Sequence, residues 1–223
     1  MAVGQALTFD ALKTKQRELR NNFPADLGLR IHRALSWLQR AEMCLDDGDA
    51  RFIFLWVAFN AAYADDRIDM FVPSERGSFS DFFDTLIAQD ERQRIYDAIW
   101  TKFTGPIRVL LENKFVFQPF WHFHNQVPGY EDWDKRFAAS KKKSHRALAE
   151  RDSKLILMTV VDRLYVLRNQ LIHGGATWAS AVNRPQVADG VAIMGTLVPL
   201  FIDLMMEHPD EPWGSPYYTV VDD

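Results

Sequence analysis

An all-α fold is predicted by three features of this sequence. Apolar residues recur at helical spacing along most of the chain, and the strict apolar–polar alternation of a half-buried strand is scarce. Residues 50–63 are apolar on nearly every side, as expected of a helix in the middle of a bundle. With 223 residues, 48% of them hydrophobic, the chain supplies enough apolar surface for one sizeable core. Its 16 Phe and 7 Trp argue against disorder over most of the length.

The elements follow in order. Residues 1–28 are expected to form an N-terminal helical extension, with a short charged helix over 10–20. Residues 29–45 carry Ile31, Leu35, Leu38 and Leu45 on one side and Arg30, Arg33 and Arg40 on the other. Asp46-Asp47-Gly48-Asp49 breaks that helix, and Asp47 or Asp49 caps the apolar helix over 50–63. Residues 65–77 read as a polar loop, followed by helices over 78–87 and 91–103 and a short one over 107–112. Residues 115–130 hold two prolines and many aromatics without a helical period, so they are expected to form a small irregular or partly extended insertion. A basic helix over 132–149 is followed by a long one over 151–172, stopped by Gly174-Gly175. A last helix over 184–207 contains Pro199, where a kink is expected. Residues 208–223 read as a tail.

Bulk chemistry narrows the function. The net charge of −4 excludes a generally basic nucleic-acid binder, so any RNA contact must be a local patch. Cys44 is the only cysteine, which rules out an internal disulfide framework and fits a reducing cytoplasm. Residues 1–19 show no sustained apolar run, so no signal peptide is expected. The apolar stretch 191–206 is interrupted by Gly195, Pro199 and Asp203, which suits a buried helix better than a membrane span.

The richest stretch runs from Arg168 to Gly175: Arg-Asn-Gln-Leu-Ile-His-Gly-Gly. It sets a guanidinium, a carboxamide and an imidazole around the end of a long helix. Arg-x4–6-His is a loose pattern, expected about once by chance in such a chain. Here it occurs once, Asn169 follows the arginine directly, and a double glycine stops the helix beyond it. These groups are able to cut RNA without a metal, because RNA carries its own nucleophile in the 2′-hydroxyl. Imidazole titrates near neutrality and moves protons at physiological pH, the role expected of His173. Arg168 is expected to grip phosphate oxygens as charge builds on them, and Asn169 to orient the phosphate or the imidazole. A plainer reading is that the arginine and the histidine simply complement a helix C-terminus.

On these residues the sequence resembles the HEPN superfamily, whose catalytic members carry Arg-polar-x3–5-His at a helix end. The arginine-bearing amphipathic helix, the apolar helix around Leu55-Trp56-Val57-Ala58-Phe59-Asn60-Ala61-Ala62-Tyr63, and the motif helix extend the likeness over about residues 29–207. Residues 65–132 would then be an elaboration. The resemblance implies a HEPN-like helical bundle, homodimerisation, and a ribonuclease site where two copies of the motif meet. It makes Arg168, Asn169 and His173 catalytic and requires no cofactor. It also implies an RNA substrate, a role in defence or toxin–antitoxin systems with a partner protein, and no membrane. In one branch of the toxins a tyrosine two residues past the histidine is modified by a partner. Gly175 stands there in this chain, so that control is not expected. One alternative is a non-catalytic HEPN module that binds RNA or a nucleotide and signals to a partner; another is a plain helical scaffold whose dimer interface is its whole purpose.

Other features have weaker readings. Lys141, Lys142, Lys143 and Arg146 suit an RNA-backbone groove or a solvated helix face. His122 and His124, two residues apart, would share a face if extended and so ligate a metal, but their aromatic neighbours suggest polar tips in an aromatic cluster, and no metal site is expected. Asp65, Asp66 and Asp69 lack the spacing of a calcium loop.

Overall fold

The structure is a computed structural model that describes residues 7–64, 75–216 and 218. The described residues are all-α, with no β-strand among them. They divide into two compact units, one of residues 1–95 and 191–223 and one of residues 96–190.

The first unit is built from α1 (Phe9–Leu19), α2 (Ala25–Glu42), α3 (Gly48–Tyr63), α4 (Glu75–Gln89) and most of α10 (Arg184–Glu207). Helix α2 starts four residues before the expected position 29. Pro24 stands just outside its first turn and Asp26 lies within that turn, both favourable at a helix start. Its buried stripe, Leu27, Ile31, Ala34, Leu35, Leu38 and Ala41, has the three-to-four spacing of one helix face. Asp47 caps α3, its side chain accepting from Ala50 N at 2.9 Å. Phe59 of α3 anchors the core, its ring 5.8 Å from Phe79, 6.3 Å from Phe83 and 6.2 Å from Phe201. The Asp65, Asp66 and Asp69 cluster lies outside the described residues.

Two features of this unit were not foreseen. Arg30, on the expected polar face of α2, is fully buried. Its guanidinium donates to Ala62 O at 3.0 Å, Gly214 O at 2.9 Å and Ser215 O at 2.9 Å. Residues 208–216, read as a tail, therefore return to the core, where Trp213 is buried and donates to His208 O at 2.8 Å. Arg40, by contrast, is exposed over the Phe54 ring, as a surface residue should be.

Helix α10 runs unbroken through Pro199. The missing hydrogen bond is offset by burial of Val198, Leu200, Phe201, Ile202, Leu204 and Met205. The stretch Ala181–Glu207 is long and apolar enough to cross a membrane, yet 67% of its apolar window is buried inside the protein. Asp203, within it, accepts from Lys15 at 2.6 Å and from Arg94 at 2.6 Å, and Glu207 pairs with the same two cations.

The second unit comprises a π-helical turn (Ala98–Lys102), α6 (Thr104–Glu112), a 3-10 turn (Lys114–Val116), α7 (Gln118–His124), α8 (Trp133–Glu150) and α9 (Ser153–Ile172). The short α5 (Arg94–Asp97) bridges the two stretches of sequence. The expected irregular insertion over 115–130 is corrected in part: 118–124 form α7 and 115–116 lie in the 3-10 turn, while 125–130 are turns and irregular backbone. Pro119 falls in the first turn of α7, where the missing N–H costs nothing and the fixed φ favours a helix.

Candidate active site

Helix α9 carries the motif, and its two ends are fixed by local chemistry. At its start the Asp152 side chain accepts from Leu155 N at 2.9 Å. Arg151, at φ 56°, closes α8 in the left-handed region, so α8 and α9 form an antiparallel hairpin with a two-residue turn. Ile156, Leu157, Val160, Val161, Leu164 and Leu167 are buried along α9 and seat the helix in its unit.

At the far end one side-chain bond joins two of the three motif residues, and His173 is held by the helix backbone. Arg168 Nη1 donates to Asn169 Oδ1 at 2.9 Å, and His173 N donates to Asn169 O at 3.0 Å. Arg168 is half-buried with its guanidinium 5.9 Å from the Tyr165 ring, while the His173 side chain is exposed. Arg168 Nε is buried without a hydrogen-bond partner. Asn169 has committed its carbonyl oxygen to Arg168, which leaves its NH2 to donate to a phosphate or to the imidazole.

The helix ends where expected. Gly174 has φ 70°, a conformation that strains any residue with a Cβ. Its N–H reaches Leu171 O at 3.4 Å, and Ala176 N reaches Gln170 O at 3.0 Å. A Cβ on Gly175 would lie 3.3 Å from Gln170 O, so the second glycine lets the chain fold back over the helix end.

Two residues near the motif escaped sequence reasoning. Gln170 Nε2 donates to Phe115 O at 2.6 Å and ties the motif end of α9 to the Lys114–Val116 turn. Arg163 is buried with its guanidinium 4.5 Å from the Phe117 ring and 5.6 Å from the Phe137 ring, and it donates to Ser140 Oγ at 3.0 Å. Both partnerships join residues more than twenty positions apart, and no local pattern announces them.

The Ser140–Arg163 bond also sets the register of the hairpin. Lys141 to Arg146 lie level with residues 157–162 of α9, about 9–16 Å from Arg168 along the helix axis. Lys141 is paired with Glu112 at 3.1 Å and Arg146 with Glu150 at 2.8 Å. Burial pushes the Glu112 carboxyl up, but Lys141 and His145 outweigh it and hold the group below the usual carboxylate range. Lys142 and Lys143 are exposed. The basic run is thus a separate stripe along the side of the hairpin, half neutralised by its own acids.

His122 and His124 lie on a helix rather than a strand, so they diverge by about 200° instead of sharing a face. The His122 ring lies 4.4 Å from Tyr130, and the His124 ring 4.2 Å from Phe120. They are polar members of an aromatic cluster. Among the described residues no group of three His, Cys, Asp or Glu side chains is placed to hold a metal ion. No protein-family model, curated protein or solved structure matches this chain.

Proposed function

We propose that this chain is a metal-independent endoribonuclease of HEPN type whose working site is completed by homodimerisation. The observation that carries this reading is the placement of Arg168, Asn169 and His173 at one helix end: an exposed His173 side chain, and a half-buried Arg168 whose guanidinium is hydrogen-bonded to the Asn169 side chain. In the reaction the 2′-oxygen attacks the adjacent phosphorus and the bond to the 5′-oxygen breaks. One imidazole takes the 2′-hydroxyl proton and another gives a proton to the leaving 5′-oxygen. Arg168 stabilises the charge on the non-bridging oxygens. One chain has one motif histidine and the chemistry uses two, hence a site shared across a two-fold axis. The products are a 2′,3′-cyclic phosphate and a 5′-hydroxyl. A defence or toxin–antitoxin role, with a partner protein that restrains the activity, follows from the family resemblance.

The bond from Arg168 to Asn169 favours a second reading, a non-catalytic HEPN module in which the motif clamps the helix end and the surface binds RNA or a nucleotide. One experiment separates the two. Purified protein in EDTA is incubated with labelled RNA, alongside His173→Ala and Arg168→Ala. Cutting that is lost in both variants, and absent on DNA, supports the nuclease. Binding without cutting supports the module. Cleavage of a deoxy substrate refutes attack by the 2′-hydroxyl.

A further inference from the structure

We propose that Phe115 and Lys114 form a subsite for an unpaired nucleobase and its phosphate, beside the Arg168–His173 end of α9. This rests on the ribonuclease reading above and adds to it residues far from the motif in sequence.

The first ground is adjacency. Phe115 O accepts from Gln170 Nε2 at 2.6 Å, and Gln170 lies between Asn169 and His173 in the motif. Gln170 lies about 60° round the helix from His173 and about 160° from Arg168, so the turn that carries Phe115 is bonded to the His173 side of this helix end.

The second ground is a large apolar ring held in solvent. Phe115 is 51% exposed, although its backbone is fixed on three sides. Asn113 Oδ1 accepts from Phe115 N at 2.9 Å, Trp121 Nε1 donates to Phe115 O at 2.7 Å, and Gln170 supplies the third bond. The ring of Phe120 meets Phe115 edge-on at 5.4 Å. The result is a preorganised ring that leaves half of its surface in water.

The third ground is charge. Lys114 Nζ lies 5.3 Å from the Phe115 ring centroid and 5.6 Å from that of Phe120. The cation lies over the ring, so a base would stack on the ring's other side with Lys114 within reach of its phosphate, the combination of ring and cation that binds single strands. A protein-docking hot spot would be framed by apolar neighbours. Here the apolar neighbours Phe120 and Trp121 hold the ring from the protein side, while Asn113, Lys114 and Gln170 bring polar groups to the same turn.

The test uses the full chain with His173→Ala in EDTA, so that binding is read without cleavage. A short, unstructured, labelled RNA is titrated by fluorescence anisotropy. Adding Phe115→Leu is expected to weaken binding about tenfold, the usual loss when a stacking ring is removed, and Phe115→Tyr to restore it. Lys114→Gln is expected to lower the slope of log affinity against log salt by about 0.7, the release of one counterion from a single strand. Unchanged affinity in Phe115→Leu overturns the subsite, as does equal weakening by Leu and Tyr, which marks a structural role. A change of oligomeric state in Phe115→Leu with RNA binding intact also overturns it, in favour of a contact between copies. A His173→Ala parent that binds no RNA sinks the ribonuclease reading itself, an outcome distinct from the other three.

Discussion

Replacing Arg30 with methionine should destabilise the first unit by about 4 kcal/mol. The side chain is fully buried, and methionine keeps much of its volume while removing every donor. Three carbonyls lose their partner. Ala62 O belongs to the last turn of α3, where no helical N–H is available to it, and its hydrogen bond is buried, so its loss costs about 2 kcal/mol. Gly214 O and Ser215 O lie in a half-buried segment and regain water in part, so each costs about 1 kcal/mol. A loss of that size lowers Tm by roughly 10–15 °C for a cooperative unit of this size. Arg30→Lys, whose point charge satisfies fewer carbonyls, should cost about half as much. The assay is urea unfolding followed by Trp fluorescence, with limited proteolysis across residues 208–216. A loss below about 1 kcal/mol in the methionine variant, with that segment still resistant, would refute the reasoning.

Three further outcomes are expected. On the proposed ribonuclease reading, Arg168→Lys keeps the charge but not the planar fork, and should lower kcat/KM for RNA cleavage about 100-fold; a change under threefold in steady-state assays would remove the guanidinium from the transition state. Burial pushes the Glu207 carboxyl up, but Lys15 and Arg94 outweigh it and hold the group below its ordinary value. Its stabilising contribution is therefore complete above the unfolded carboxylate pKa and is lost as pH falls through the lower folded value; urea midpoints measured down to acidic pH should decline less steeply in Glu207→Gln, and parallel curves would exclude the group. Gly174→Ala places a Cβ at φ 70° and should cost about 1–2 kcal/mol, read as a lower thermal midpoint, with cleavage reduced because the His173 cap is disturbed; an unchanged midpoint would show that the turn relaxes freely.

What the sequence made legible was periodic or local. Helix α10 spans the residues that its apolar pattern marks, and α9 stops at the glycine pair that predicts its end. The Arg168, Asn169 and His173 cluster was legible for the same reason, since all three lie within six consecutive positions of one helix end. Misreadings arose where a residue has opposite meanings in different places. Pro119 suggested an irregular segment because a proline inside a helix breaks it, yet in the first turn of α7 it does no harm. Arg30 was placed with the polar residues of α2 because its acceptors are backbone carbonyls, two of them more than 180 positions away, and carbonyls leave no mark in a side-chain pattern. Gln170 was missed on the same grounds, and Arg163 because its partners, Ser140 and the Phe117 and Phe137 rings, lie more than twenty positions away.

The division of the chain also sets the order in which its parts are made. Residues 96–190, with the whole Arg168–His173 cluster, leave the ribosome before residues 191–223, which the first unit needs for closure. The earliest helices must therefore wait, with Phe59 and Phe83 lacking Phe201 and Arg30 lacking its distant carbonyls, while the motif-bearing segment is already complete. During synthesis, exposure to chaperones and proteases falls on the helices before residue 96 until the α10 segment emerges.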